Sequence, residues 1–253
     1  MKKLENKTVF ITGGLSGIGR ACAIEATKEG ANVAIADLKS ENIDEEMEEI
    51  KKENPRAIFI ECDVSVFVQV ESAIQKVVST FGTLDIALNN AGIGGKPDKV
   101  GDMTEQAWLK VIGINLTGMF YCMKHELIHM SKQKKGIIVN MSSVLGKVGF
   151  AKSSHYVAAK HGIIGLTQTA AIEYANENIR INTICPAFIE TPLLTKLDLN
   201  HHPNAKQHII DLHPMKRLGK SEEVAKGFIF LACEDSSFIT GTTLEIDGGY
   251  LTV

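Results

Sequence analysis

The chain has no pair of cysteines at metal-ligand spacing. Its five, Cys22, Cys62, Cys122, Cys185 and Cys233, are odd in number and scattered, which argues against both a disulfide framework and a structural zinc site and points to a reducing compartment. Long apolar runs are missing too. After Met1-Lys2-Lys3 the first such run, Val9-Phe10-Ile11, stops at glycines, too soon for a signal-peptide core or a spanning helix. The expectation is a cytoplasmic protein without membrane contact. A formal net charge of -3 offers no electrostatic reason for a nucleic-acid or anionic-membrane partner. No repeat, low-complexity tract or linker divides the 253 residues, so 1–253 is expected to form one domain with a substantial core.

What is present alternates. Short β-branched and apolar runs at Thr8 to Thr12, Asn32 to Ala36, Ala57 to Cys62, Asp85 to Leu88, Gly136 to Met141, Ile179 to Ile184 and Thr242 to Ile246 read as buried strands. Helical stretches separate them, among them Glu41 to Glu53, Ser65 to Phe81, one helix around Trp108 to Met130, and one starting near Tyr156. Such alternation implies parallel strands with right-handed crossovers, and ligands in such sheets bind outside the carboxyl ends of the strands. Gly13, Asp37, Asp63 and Asn90 all fall at those ends.

The turn Thr12-Gly13-Gly14-Leu15-Ser16-Gly17-Ile18-Gly19 joins the first strand to a helix. Glycines there allow backbone to approach a pyrophosphate, and the helix N-terminus faces the anion with free N–H groups. Asp37, roughly 20 residues on, can accept hydrogen bonds from an adenosine ribose and would repel a 2′-phosphate. NAD is therefore favoured over NADP.

Tyr156 and Lys160 are four apart, on one face of the expected helix. Holding a phenolate at neutral pH costs roughly 4 kcal/mol, and a cation about 4 Å away at an effective dielectric near 20 returns a comparable amount. The lysine is thus expected to make the tyrosine a usable proton-transfer group. Ser142 and Ser143, just past a strand, are expected to point to opposite sides. From Leu193 to Pro214 periodicity fails, and 191–214 reads as a substrate-binding loop or lid. His201, His202, His208 and His213 gather there without carboxylate or thiolate partners at ligand spacing. They are expected as solvated loop histidines or substrate contacts, and no metal is expected.

Taken in order, TGGLSGIG at 12–19, NNAG at 89–92, Asn115, Ser143, YVAAK at 156–160 and the Pro186 to Thr191 stretch resemble the short-chain dehydrogenase/reductase family over essentially the whole chain. The resemblance implies a single Rossmann-type, doubly wound α/β domain with a seven-stranded parallel sheet and helices on both faces. It implies Tyr156 as catalytic acid/base, Lys160 as its electrostatic partner, Ser143 as the group that polarises the substrate oxygen, and Asn115 as anchor of a proton relay. For the dinucleotide it implies Gly13, Ser16, Gly17, Ile18 and Gly19 at the phosphates, Asp37 and Leu38 at the ribose, and Asp63 and Val64 beside them. Asn90, Ala91, Gly92, Tyr156, Lys160, Pro186, Ile189 and Thr191 complete the cofactor set. Ala187 departs from the glycine usual in the family after that proline. The implied activity is NAD-dependent interconversion of a small secondary alcohol and a ketone by a homotetramer. A 3-oxoacyl-thioester reductase and a non-catalytic dinucleotide-binding regulator are the alternatives.

Overall fold

In the computed structural model, which describes residues 2–195 and 203–253, the strands are β1 (Thr8–Thr12), β2 (Asn32–Asp37), β3 (Ile58–Glu61), β4 (Ile86–Asn89), β5 (Gly136–Met141), β6 (Ile179–Pro186) and β7 (Thr243–Ile246). They form one seven-stranded sheet in the order β3-β2-β1-β4-β5-β6-β7, with all pairs parallel. The expected strands lie within about two residues of these, the ordinary uncertainty of element ends.

Alternation along each strand sends successive side chains to opposite faces. Val9, Ile11, Val33, Ile35, Ile86, Leu88 and Val139 pack in one layer, under α1 (Gly17–Lys28), α2 (Ile43–Glu53) and α9 (Ser221–Ala232). Phe10, Ala34, Ala87, Ile138 and Ile181 pack in the other, under α3 (Phe67–Phe81), α5 (Gly118–Gln133) and α6 (Ser154–Tyr174). Every residue of β1 is buried, which is why its run reads as apolar on both faces. All five cysteines are buried and unpaired, Cys22 and Cys233 in the first layer and Cys62 and Cys122 in the second.

A polar chain crosses the second layer. Asn89 Nδ2 donates to Glu126 Oε2 at 2.9 Å and to Asn140 Oδ1 at 3.0 Å, and Asn140 Nδ2 donates to Thr167 Oγ1 at 2.8 Å. Burial pushes the Glu126 carboxyl up to about 8.

Two expectations need correction. The single helix around Trp108 to Met130 is α4 (Glu105–Ile112) and α5 separated by a wide π-helical turn, Gly113–Thr117. In that turn the Asn115 amide bonds the main chain of another segment, and such widened turns recur at functional sites. The 193–214 stretch is not without regular structure either: it holds most of α7 (Pro192–Thr195) and all of α8 (Pro203–Asp211). In α8 only Ile209 and Ile210 join Ala205 as apolar residues, so there is no stripe to read. Pro203 at its first position and Pro214 just beyond its end supply the boundaries.

Candidate active site

The order of strands reverses at β1, which pairs with β2 on one side and β4 on the other, and the loops leaving β1 and β4 part there. The Thr12 hydroxyl accepts from the N–H groups of Asn90 at 3.0 Å and Ala91 at 3.1 Å. Asn90 Nδ2 returns bonds to the carbonyls of Thr12 at 3.1 Å and Gly13 at 3.0 Å. The two loops are thus stitched together at the sheet's carboxyl edge.

The glycine turn is packed too closely to admit a side chain at two of its positions. A Cβ on Gly13 would lie 2.9 Å from Ala91 Cα, and one on Gly19 2.1 Å from the Gly13 carbonyl oxygen. Ser16, the N-cap of α1, makes no side-chain cap, and the first turn carries no acidic residue. The donors at this helix end suit an anion, so the residues fit the pyrophosphate of a dinucleotide. Asp37, at the end of β2, accepts from Leu15 N–H at 3.0 Å and Leu38 N–H at 2.8 Å. Desolvation raises its pKa and those two bonds oppose the rise. Asp63 Oδ1 accepts from the Ser65 N–H at 2.9 Å and hydroxyl at 2.6 Å, while Val64 is buried against Gly118.

A cavity of about 200 Å³ lies beside this turn, lined among others by Ile18, Asn90, Gly92, Ser143, Tyr156, Lys160, Pro186, Ile189 and Thr191. Nine residues expected from separate parts of the chain therefore line one cavity. Gly13, Ser16, Gly17, Gly19, Asp37, Leu38, Asp63, Val64 and Ala91 are outside that lining, at or just beyond the carboxyl ends of β1 to β4. Asn115 is also outside it, fully buried. Its Oδ1 accepts from Ile93 N–H and its Nδ2 donates to Ile93 O, both at 2.8 Å.

The serines diverge as expected. Ser142 Oγ donates to the Lys160 carbonyl at 2.8 Å. Ser143 Oγ accepts from Leu145 N–H at 3.1 Å and donates weakly to Pro186 O at 3.4 Å, and it is near enough to the Tyr156 phenol to lower that group's pKa. Lys160 is buried, its Nζ 2.7 Å from the Met141 carbonyl and 5.4 Å from the Tyr156 ring centroid.

Burial works against the electrostatic pairing expected of these two groups. Desolvation pushes Tyr156 up to about 12, opposed by the Ser143 hydroxyl, and brings Lys160 down to about 8, opposed by Cys185. A partner cation lowers a phenol only where its attraction exceeds the cost of taking both groups out of water, and helical spacing says nothing about that cost.

The histidines are corrected too. His201 and His202 lie outside the described residues; His208 is exposed as expected, but His213 is neither solvated nor in the cavity lining. It is buried, its ring 5.9 Å from that of Phe188 and 5.5 Å from that of Tyr250. Among the described residues no group of three His, Cys, Asp or Glu side chains is placed to hold a metal ion. Thr12, Phe188 and the carbonyls of Met141 and Pro186 are parts of the site that residue types alone do not reveal. Thr12 had a signal, its place at the head of the glycine turn; the two carbonyls had none.

A family model described as enoyl-(acyl carrier protein) reductase matches residues 13–251. The chain belongs to the short-chain dehydrogenase/reductase family. Cyclohexanol dehydrogenase from Acinetobacter sp. (strain SE19) is 38% identical over 98% of this chain and 96% of that protein. The 3-oxoacyl-[acyl-carrier-protein] reductase FabG of Thermotoga maritima is 39% identical over 98% of both. Among solved structures, levodione reductase superposes with a TM-score of 0.95 at 36% identity over 99% of both chains. ElxO with NADP bound gives a TM-score of 0.91 at 40% identity over 98% of this chain and 99% of that one. NAD+-bound xylitol dehydrogenase gives 0.93 at 32% identity over 98% and 100%.

Proposed function

We propose that this short-chain dehydrogenase/reductase interconverts a secondary alcohol and a ketone with NAD as cofactor. The observation that carries the reading is the meeting of Tyr156, Ser143 and Lys160 in the lining of one cavity with Ile18, Gly92, Ile189 and Thr191. The dinucleotide, when bound, supplies the hydride acceptor or donor at its nicotinamide ring.

The chain's own residues handle the proton. Ser143 holds the substrate oxygen, and the Tyr156 phenol beside it takes the hydroxyl proton in oxidation and returns it in reduction. A phenol pushed up to about 12 suits the donor role at neutral pH; accepting a proton requires charge compensation, which the Lys160 ammonium supplies. Asn115 holds the Ile93 segment next to Gly92 and so fixes the far wall. Gly13, Ser16, Gly17, Ile18 and Gly19 hold the phosphates, Asp37 and Leu38 the adenosine ribose, with Asp63, Val64 and Ala91 alongside. Pro186, Ile189 and Thr191 hold the nicotinamide end.

Residues 1–253 act as one dinucleotide-binding and catalytic domain, with 191–214 as the substrate-binding segment. The protein works in the cytoplasm, a setting its five unpaired cysteines suit. No helix among the described residues is long and apolar enough to cross a membrane. Its working form is a homotetramer, for which the exposed Leu109 of α4 and the exposed Phe120 and Ile128 of α5 offer apolar surface to a second copy.

Reduction of NAD followed by absorbance over a panel of secondary alcohols tests the reading. Tyr156→Phe is expected to lower kcat by roughly 10²–10⁴ while NADH still binds; a fully active variant would overturn it. A 3-oxoacyl-thioester reductase is the second reading, favoured by the likeness to FabG. A short 3-oxoacyl thioester reduced with higher kcat/KM than any simple ketone would establish it instead.

A further inference from the structure

We infer that His155 is a positioning residue, its buried imidazole fixing the main chain of Tyr156 on one side and seating the Gly94 to Pro97 segment of the cavity lining on the other. This rests on the acid/base reading of Tyr156 and adds a residue to it.

The start of α6 is the first ground. The leading N–H groups of a helix have no partner inside it, and a side chain at the N-cap ordinarily accepts from one of them. Ser153, which holds that place here, makes no such bond. The Tyr156 N–H, in the same turn, donates instead to His155 Nδ1 at 2.8 Å. A ring nitrogen that accepts carries no proton, so the proton of this imidazole sits on Nε2. The bond fixes the turn from which the phenol departs.

What the imidazole costs is the second. His155 is fully buried and its Nε2 has no hydrogen-bond partner. A buried N–H without a partner weakens a fold, and an aliphatic side chain would fill the space without that penalty. Packing alone gives no reason for a histidine here; the acceptor at Nδ1 does.

The third ground lies across the ring. A Cβ on Gly95 would overlap His155 Nε2 and lie 2.7 Å from Val111 Cγ2, so the outer edge of the imidazole rests on the Gly95 main chain. Gly95, with a φ of 74°, lines the cavity together with Gly94 and Pro97. The same segment is tied to the entry of α6 a few residues on, where Asp98 N–H donates to the Lys152 carbonyl at 2.9 Å and Asp98 pairs with Ser153 in an isolated bridge. His155 thus fills the space between two stretches already joined at one end, and sets how far this part of the lining stands from the acid/base residue.

The experiment separates the acceptor from the bulk. In His155→Asn the amide oxygen takes the place of Nδ1, much as Asp37 and Asp98 each accept through Oδ1 from the next N–H, while the contact with Gly95 is given up. His155→Leu keeps bulk and loses the acceptor. Both are compared with the unsubstituted chain in kcat and KM for the alcohol it oxidises fastest with NAD, in Tm, and in hydrogen exchange of the Tyr156 amide followed by NMR.

His155→Leu is expected to lower kcat by about 10-fold or more, since a misplacement of about 1 Å can cost 10²-fold. Its Tm is expected to stay within about 4 °C of the unsubstituted chain, one orphaned N–H having replaced another, and its Tyr156 amide to exchange at least about 10-fold faster. His155→Asn is expected to keep kcat within about 3-fold and the amide slow, and to raise KM for the alcohol by about 3-fold or more. Full kcat in His155→Leu, or a kcat in His155→Asn as low as that of His155→Leu, overturns the inference. Should the leucine variant fail to fold, a fast Tyr156 amide or a 10-fold loss of kcat in His155→Asn overturns it by itself. An unchanged KM in His155→Asn overturns the seating of the Gly94 to Pro97 segment. Any of these beside an inactive Tyr156→Phe leaves the acid/base reading standing; a fully active Tyr156→Phe removes that reading and this inference together.

Discussion

Asn115 grips Ile93 by both of its main-chain groups, accepting from its N–H and donating to its carbonyl at 2.8 Å each. The widened turn at Gly113–Thr117 presents that amide to the loop leaving β4. Asn115→Ala leaves both main-chain groups without this partner, at a cost of about 1–3 kcal/mol. Thermal unfolding is expected to show a Tm lower by roughly 2–9 °C, with a fall in kcat beyond what lost fold accounts for. A Tm and kcat equal to the unsubstituted chain would mean that the grip is dispensable.

Asp37 tethers Leu15 in the glycine turn through its carboxylate, and the proposed ribose contact would give that carboxylate a second duty. Asp37→Asn keeps an acceptor and removes the charge. The ratio of kcat/KM for NAD to that for NADP is expected to shrink by about 10-fold or more, the size of one charge contact. Asp37→Ala should also raise KM for NAD itself, because the turn loses its tether. An unchanged ratio would count against Asp37 as the selector.

Gly19 lies where a side chain would need to occupy the Gly13 carbonyl. Backbone must move to admit one. Gly19→Ala is expected to weaken NADH binding, followed by fluorescence titration, by about 100-fold while far-UV circular dichroism stays the same. Binding at full strength would remove the turn from the dinucleotide site.

Glu126 makes stability depend on pH. Its carboxyl, pushed by burial from an ordinary 4.5 up to about 8, stays protonated in the folded chain across a range where the unfolded chain ionises. The stability it contributes is complete below about pH 4.5 and declines as pH rises through 8, by at most about 5 kcal/mol. Glu126→Gln removes the titration. Between pH 5 and pH 8.5 its Tm is expected to fall by at least about 5 °C less than that of the unsubstituted chain. Parallel Tm curves for the two proteins would contradict this.

The inner strands were legible because they are buried on both faces; in β1, Val9 and Ile11 feed one layer and Phe10 the other, so the run is apolar without a break. The candidate site was legible where chemistry sits on side chains at fixed spacing, as with Tyr156 and Lys160, or where glycine is demanded by close approach, as at Gly13. It was illegible where the main chain acts. The Met141 carbonyl that holds Lys160 has no residue signature, and a shift of helical bonding by one residue at Asn115 leaves no pattern in hydrophobicity. The charge states of Tyr156 and Lys160 depend on how deeply each is desolvated, which spacing does not encode.

Burying all five cysteines has a practical side. Desolvation pushes Cys62 and Cys185 up to about 11 and raises Cys22, Cys122 and Cys233 as well, so the reactive thiolate is scarce while the chain stays folded. An alkylating dye is therefore expected to mark molecules that have opened, read as labelling that rises with denaturant. Each copy thereby carries an internal gauge of its own unfolding.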